Sequence, residues 1–220
     1  MIKLNDGSFS EKDLYQQLWD GRNFELSHFW QRSIFLTSIF VVLLAGYGKI
    51  IFSMYFPEKE IESIVESFAA QHFIAWGITL LSLVFSMLWI MMSKGSKLWY
   101  ERYEYSINLL FEKSSILNNV SETLPRHGNL EYPPNEIYSD SLFSTYAGGY
   151  SVSKVNITIG IISMFVFSLL NAFHFASFLK IKFDNLDNYQ CALFSITEIV
   201  ILWGFLFIFL RFLCKSGESK

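Results

Sequence analysis

A chain of 220 residues with 52% hydrophobic and 17% charged residues is too apolar for intrinsic disorder, and poorer in charge than the roughly 25% of a soluble domain. A formal charge of −3 leaves no bulk electrostatic case for nucleic-acid binding, and two cysteines exclude a disulfide framework and a cysteine-based zinc site. What remains is a membrane protein with substantial aqueous parts.

Residues 1–32 mix acids, bases and apolar groups. They lack the basic start and apolar run of a secretory signal, and neither end carries a lipidation motif. Ser10 followed by Asp13 resembles a capping box, and Leu14, Leu18 and Trp19 form a short apolar stripe that ends at Gly21. A helix is expected to resume near Arg22 and run into the first span.

Four stretches are apolar for long enough to cross a bilayer, whose core needs about 20 residues per helix. They are Ser33–Phe56 with Lys49 inside it, His72–Met92, Val155–Leu179, and Asn188–Leu213 with Glu198 and Arg211. The second and third contain no Asp, Glu, Lys or Arg, so they lack the charged face a soluble helix would show. After the second span comes a junction helix. From Ser96, the stripe Trp99, Tyr103, Ile107, Leu110 and Leu117 recurs at helical spacing, opposite Glu101, Tyr105, Asn108 and Glu112. Gly95 stands between span and junction helix, which are expected either to form one kinked rod of about 70 Å, at 1.5 Å per residue, or to meet at an angle. Residues 119–149 are punctuated by Pro125, Gly128, Pro133-Pro134 and Gly148-Gly149 and read as a loop. Ser151 or Ser153 can cap the third span. The segments are thus 1–32, the hairpin 33–93, the junction helix 94–118, the loop 119–154, the hairpin 155–214 and the tail 215–220.

Lysine and arginine set the orientation. With both termini and the middle segment inside the cell, thirteen bases lie on the cytoplasmic side, and only Lys59, Lys180 and Lys182 lie outside. Both termini are therefore expected in the cytoplasm.

Ionisable groups within a span are costly, and each is a functional candidate. Lys49, Asn171, His174 and Glu198 lie at similar depths, within roughly 8–15 Å of the outer boundary at the helical rise. One expectation is a polar layer in which Glu198 pairs with Lys49 or His174. The plainer expectation, preferred for Lys49 and His174, is that Lys49 snorkels outward and His174 meets the headgroups, leaving Glu198 with a buried partner or a water-lined path. Ala75, Thr79, Ser82 and Ser86 form a small-residue stripe suited to close helix approach, or less readily to lining a pore. Gly160, Ser163, Asn171 and His174 share one side of span three, the better candidate for a hydrated face.

Enzyme motifs are absent: there is no Gly-rich phosphate loop, no HExxH and no GxSxG, and His28, His72, His127 and His174 have no metal-ligand spacing. No catalytic residue, metal or cofactor is expected. The two hairpins do not resemble each other, which disfavours an inverted-repeat transporter.

Three segments carry a family likeness in their order and spacing. Arg22-Asn23-Phe24-Glu25-Leu26 precedes Phe29-Trp30-Gln31-Arg32. Ser86-Met87-Leu88-Trp89 leads to Lys94-Gly95-Ser96-Lys97-Leu98-Trp99 and then Glu104, Ile107 and Leu110. Tyr150-Ser151-Val152-Ser153-Lys154-Val155-Asn156 opens span three. Over roughly Arg22–Asn156 the chain resembles the RipA-family octameric membrane proteins of bacteria. The resemblance implies a ring-like homo-oligomer in the cytoplasmic membrane without established enzymatic activity. Family members often have an acidic, His-containing stretch where this chain has Ser106, Asn108 and Phe111, so a role resting on those charges does not carry over. Nor does one reach Glu198, which lies beyond the likeness.

The expectation is an all-α integral membrane protein, with four transmembrane helices and cytoplasmic amphipathic helices, that is homo-oligomeric. Its partners are the lipid bilayer and further copies of itself, an octamer by the resemblance, and no nucleic acid. Junction candidates are Trp99, Tyr103, Ile107, Leu110 and Lys97. Arg22, Glu25 and Arg32 are candidates for ion pairs with Glu101, Arg102 or Glu104, and Trp30 stands at the span entry. The function expected is a membrane scaffold or channel-like assembly, and the alternative is a membrane-perturbing effector of a stress or phage-defence response.

Overall fold

The computed structural model describes residues 11–56, 64–113, 151–183 and 185–214. It contains four long helices: α1 (Glu11–Tyr55), α2 (Ile64–Lys113), α3 (Val152–Lys182) and α4 (Asn188–Cys214). No strand occurs among the described residues. Each helix includes a stretch long and apolar enough to cross a membrane. Ser10, Leu117, the loop 119–149 and most of the linker between the first two spans lie outside the described residues.

The break expected at Gly21 is absent, and at Gly95 the chain takes the single-helix alternative, not two helices. The α1 helix passes through Gly21 and α2 passes through Gly95, so the amphipathic segments continue the spans as single helices. A lone glycine costs a helix only about 1 kcal/mol, too little to stop one held by tertiary contacts. Gly21 has a packing reason instead, since a Cβ there would lie 2.8 Å from Cε1 of Tyr103.

The α3–α4 turn is built from short-range bonds. Asp187 Oδ1 accepts from the Gln190 amide at 2.6 Å, and the Gln190 side chain accepts from the Asp187 amide at 3.1 Å, a reciprocal capping box that starts α4. Lys180 Nζ donates to the Leu186 carbonyl at 2.7 Å. Lys180 and Lys182 also place positive charge at the C-terminal end of α3, where it favours the helix dipole. At the start of α3, the Ser151 carbonyl accepts from the Val155 amide, while its hydroxyl lies 2.9 Å from the Ser153 hydroxyl.

The chain divides into two compact units. One comprises the described residues of Met1–Arg32 and Met92–Val155, the other those of Ser33–Met91 and Asn156–Lys220. In the first, α1 and α2 run antiparallel. Tyr15 meets Phe111 edge-on at 5.5 Å, Arg22 meets Glu104, and Arg32 donates to the Ser96 hydroxyl at 2.7 Å. Phe29 and Ile107 are buried there.

In the second unit α1, α2 and α3 meet at an aromatic cluster. Phe40 lies 5.5 Å from Trp89 and stacks on Phe167 at 5.6 Å. The stripe Ala75, Thr79, Ser82 and Ser86 is fully buried along α2, each at 0% exposure. Gly160 brings α3 close to α2, since a Cβ there would stand 2.8 Å from Cγ1 of Ile90 and 3.3 Å from Cδ1 of Trp89. The outward faces stay apolar: Val42, Phe52, Leu169, Ile208 and Phe212 are all well exposed. Apolar surface on that scale needs lipid or neighbouring subunits to cover it.

Candidate functional site

The buried polar side chains of the second unit are tied to one another across helices. His174 of α3 is fully buried, with Tyr47 of α1 on one side and His72 of α2 on the other. Tyr47 Oη lies 2.9 Å from His174 Nε2, and the Nδ1 atoms of His174 and His72 are 3.0 Å apart. Two imidazole nitrogens at that separation share one proton, so one ring donates and the other accepts. His174 is therefore enclosed by protein, not set among headgroups.

One turn earlier on α3, Asn171 is also fully buried. Its Nδ2 donates to the Trp76 carbonyl at 3.1 Å and to the Thr79 hydroxyl at 3.2 Å. The Thr79 hydroxyl donates back into its own helix, to the carbonyls of Ala75 and Trp76. The face of α3 expected to be hydrated thus packs against α2. A third bridge joins three helices: Asn156 Nδ2 donates to the Ser33 hydroxyl at 2.9 Å, and its Oδ1 accepts from Trp89 Nε1 at 3.1 Å. Farther along, Trp203 Nε1 of α4 donates to the Ser168 hydroxyl of α3 at 3.0 Å.

Glu198 pairs with neither Lys49 nor His174. Its Oε1 accepts from Trp76 Nε1 at 3.2 Å, while Oε2 is buried without a hydrogen-bond partner. Lys49 is exposed, as a snorkelling lysine would be. The polar layer thus exists with a different membership: Tyr47, His72, Trp76 and Thr79 join Asn171, His174 and Glu198. His72 and Tyr47 lie at the expected depth, and that signal was available in the sequence. Tyrosine and tryptophan pass for apolar anchors in a hydropathy reading, so their polar atoms go uncounted.

In the first unit the junction candidates separate by position. Arg22 Nε and Nη2 both lie 3.0 Å from Glu104 Oε1. Arg32 bonds the Ser96 hydroxyl instead of a carboxylate, and Glu101 pairs with Lys97 at 3.4 Å along its own helix. Glu25 Oε2 is buried without a hydrogen-bond partner. Ile107 is fully buried, while Tyr103 and Leu110 are half-buried. Trp99 departs from the stripe: it is 47% exposed, with the Arg102 guanidinium 5.2 Å above its ring. The buried face runs instead through Ser96, Tyr100 and Tyr103 to Ile107, and the Tyr100 hydroxyl meets the Ser153 hydroxyl at 2.8 Å. Trp30 is half exposed.

Among the described residues no group of three or more His, Cys, Asp or Glu side chains converges to hold a metal ion. What the arrangement does chemically is hold helices together: each interhelical bond satisfies polar atoms that lipid could not.

Residues 12–176 match the model of the octameric membrane protein family (8xMP). The chain belongs to this family. The match takes in α1, α2 and most of α3, and it ends before α4 and Glu198. No curated relative and no solved structure matches the chain significantly. Family membership and four membrane-length apolar helices make the chain a membrane protein of an octamer-forming family.

Proposed function

We propose that this member of the 8xMP family is a non-enzymatic, homo-oligomeric scaffold of the bacterial cytoplasmic membrane, with both termini and the middle segment in the cytoplasm. The orientation rests on thirteen bases on one side against three on the other. The observation that carries the scaffold reading is the use of buried polar groups as interhelical fasteners. Tyr47, His72, Asn171 and His174 are bonded to protein partners on neighbouring helices. A conduction path needs polar groups turned to water.

The test joins mass to flux. In mild detergent the assembly is expected at eight times the 25.6 kDa chain mass. Reconstituted vesicles are expected to hold an ion gradient as well as empty ones do. A monomer would overturn the oligomer. Steady conductance would replace the scaffold with a channel-like assembly, and depolarisation of cells on overproduction would replace it with a membrane-perturbing effector.

A further inference from the structure

The two histidines of the buried pair differ in access. His174 has no exposed surface, whereas His72 keeps 6% and lines a cleft of about 460 Å³. Phe68 and His72 of α2, Phe173 and Lys180 of α3, and Asn188 and Cys191 of α4 stand in its walls. Protons therefore reach the pair at His72.

The surroundings suit the pair while it is uncharged. The His72 ring stands 5.2 Å from that of Phe68 and 6.1 Å from that of Phe173. From α1 the titratable group that meets the pair is the Tyr47 hydroxyl, while Lys49 and Tyr55 of the same helix are exposed. On α3, Lys180 adds positive charge to the cleft, its ammonium held by the Leu186 carbonyl. On α4, Cys191 lines the cleft as a free thiol, Glu198 accepts from Trp76, and Asp187 is exposed and accepts from the Gln190 amide. Among the described residues no carboxylate lines the cleft. A first added proton thus makes a cation without a counter-ion, in surroundings that solvate it poorly. A second puts hydrogen on both Nδ1 atoms, so the 3.0 Å bond loses its acceptor and two donors face each other.

We infer that the pair is an acid-sensitive latch between the start of α2 and the end of α3: protons taken up through the cleft break the Nδ1–Nδ1 bond, and the helix ends part until both rings meet water. Cys191, 3% exposed in the wall of the same cleft, is uncovered when they do. The inference deepens the reading of these groups as interhelical fasteners. On the proposed orientation the latch answers to acid outside the cell, but the latch itself depends on neither that orientation nor the octamer. A ring that charges only in the open state raises the open fraction by up to about tenfold for each pH unit below about 6.5, and two rings raise it by up to about a hundredfold.

The experiment follows labelling of Cys191 in the full chain carrying Cys214→Ser, held in phosphatidylcholine nanodiscs at about pH 7.5 and about pH 5.5. The probe is dithiodipyridine, which reacts with thiols in acid as well as near neutrality. Each rate is divided by that of the denatured chain at the same pH, which removes the reagent's own pH dependence. The ratio is expected to rise by about tenfold to a hundredfold on acidification, with helix content unchanged. The double variant His72→Gln, His174→Gln, whose amides can still bond each other, is expected to show a flat ratio. His72→Gln alone leaves one titrating ring and is expected to show half the parent's rise on a logarithmic scale, and it decides the matter should the double variant fail to assemble. A flat ratio in the parent would overturn the inference. So would an equal rise in the double variant, an undiminished rise in His72→Gln, or a rise that comes with loss of helix.

Discussion

Tyr47 and His174 are 127 residues apart in the chain, and their side chains meet at 2.9 Å inside the helix bundle. His174 meets His72 on its other side, so one imidazole couples α1, α2 and α3. Removing the middle of such a chain strands both ends. His174→Phe is expected to lower stability by about 1–3 kcal/mol for each buried polar group left unpaired. The triple variant Tyr47→Phe, His72→Phe, His174→Phe should recover part of that loss, because no polar atom then remains. Denaturant midpoints of the purified assembly check this, and a triple variant much weaker than the single would refute it.

Asn171 serves as a fastener between α3 and α2. Interhelical hydrogen bonds within membranes average about 0.6 kcal/mol and reach about 1.7. Asn171→Leu is expected to cost an amount in that range, read as a fall in unfolding midpoint. A hydrated role would instead appear as altered permeability at unchanged stability.

Glycines on the spans should divide by what surrounds them. Gly160 abuts Ile90 and Trp89, whereas Gly48 has open space around it. Gly160→Ala is expected to destabilise by about 1–3 kcal/mol through overpacking. Gly48→Ala should be neutral or stabilising by up to about 1 kcal/mol, the helix-propensity gain. Thermal midpoints of the two variants, measured side by side, check the contrast.

Arg22 and Glu104 form a pair with side-chain exposures of only 17% and 22%. Two guanidinium nitrogens share one carboxylate oxygen, so the pair should exceed the 0–1 kcal/mol of a surface bridge. A double-mutant cycle with Arg22→Met and Glu104→Gln is expected to give a coupling of about 1–3 kcal/mol. Lys97 and Glu101, neighbours along one exposed helix face, should give about 0.3–0.5 kcal/mol by the same cycle.

The spans could be read directly, because about 20 uninterrupted apolar residues leave few alternatives to a membrane helix. Burial of the Ala75–Thr79–Ser82–Ser86 stripe also followed from residue size and helical spacing alone. Partnerships were harder. The depth of His174 and Glu198 could be counted, but choosing Tyr47, His72 or Trp76 as partners requires knowing how three helices are rotated against one another. Beyond the small-residue stripe of α2, apolar runs with no charged face carry little record of that rotation. Trp99 shows the same limit from outside. Helical spacing placed it on the stripe with Tyr103 and Ile107, which do pack, yet beyond Tyr103 the packed face continues through Tyr100 to Ser96, and Arg102 covers the indole instead. Gly21 misled for another reason: the sequence shows the missing side chain but not the tyrosine ring that occupies its place.

The three-helix bridge at Asn156 bears on how this chain behaves in a foreign host. Asn156-Ile157-Thr158 is an acceptor sequence for N-linked sugar, and the nitrogen a glycosyltransferase would modify is the one donated to Ser33. Sugar attachment and the closed helix trio therefore exclude each other. In a eukaryotic secretory pathway, a glycan at this asparagine would mark molecules that never packed, and would say nothing about which side of the bilayer the folded protein exposes.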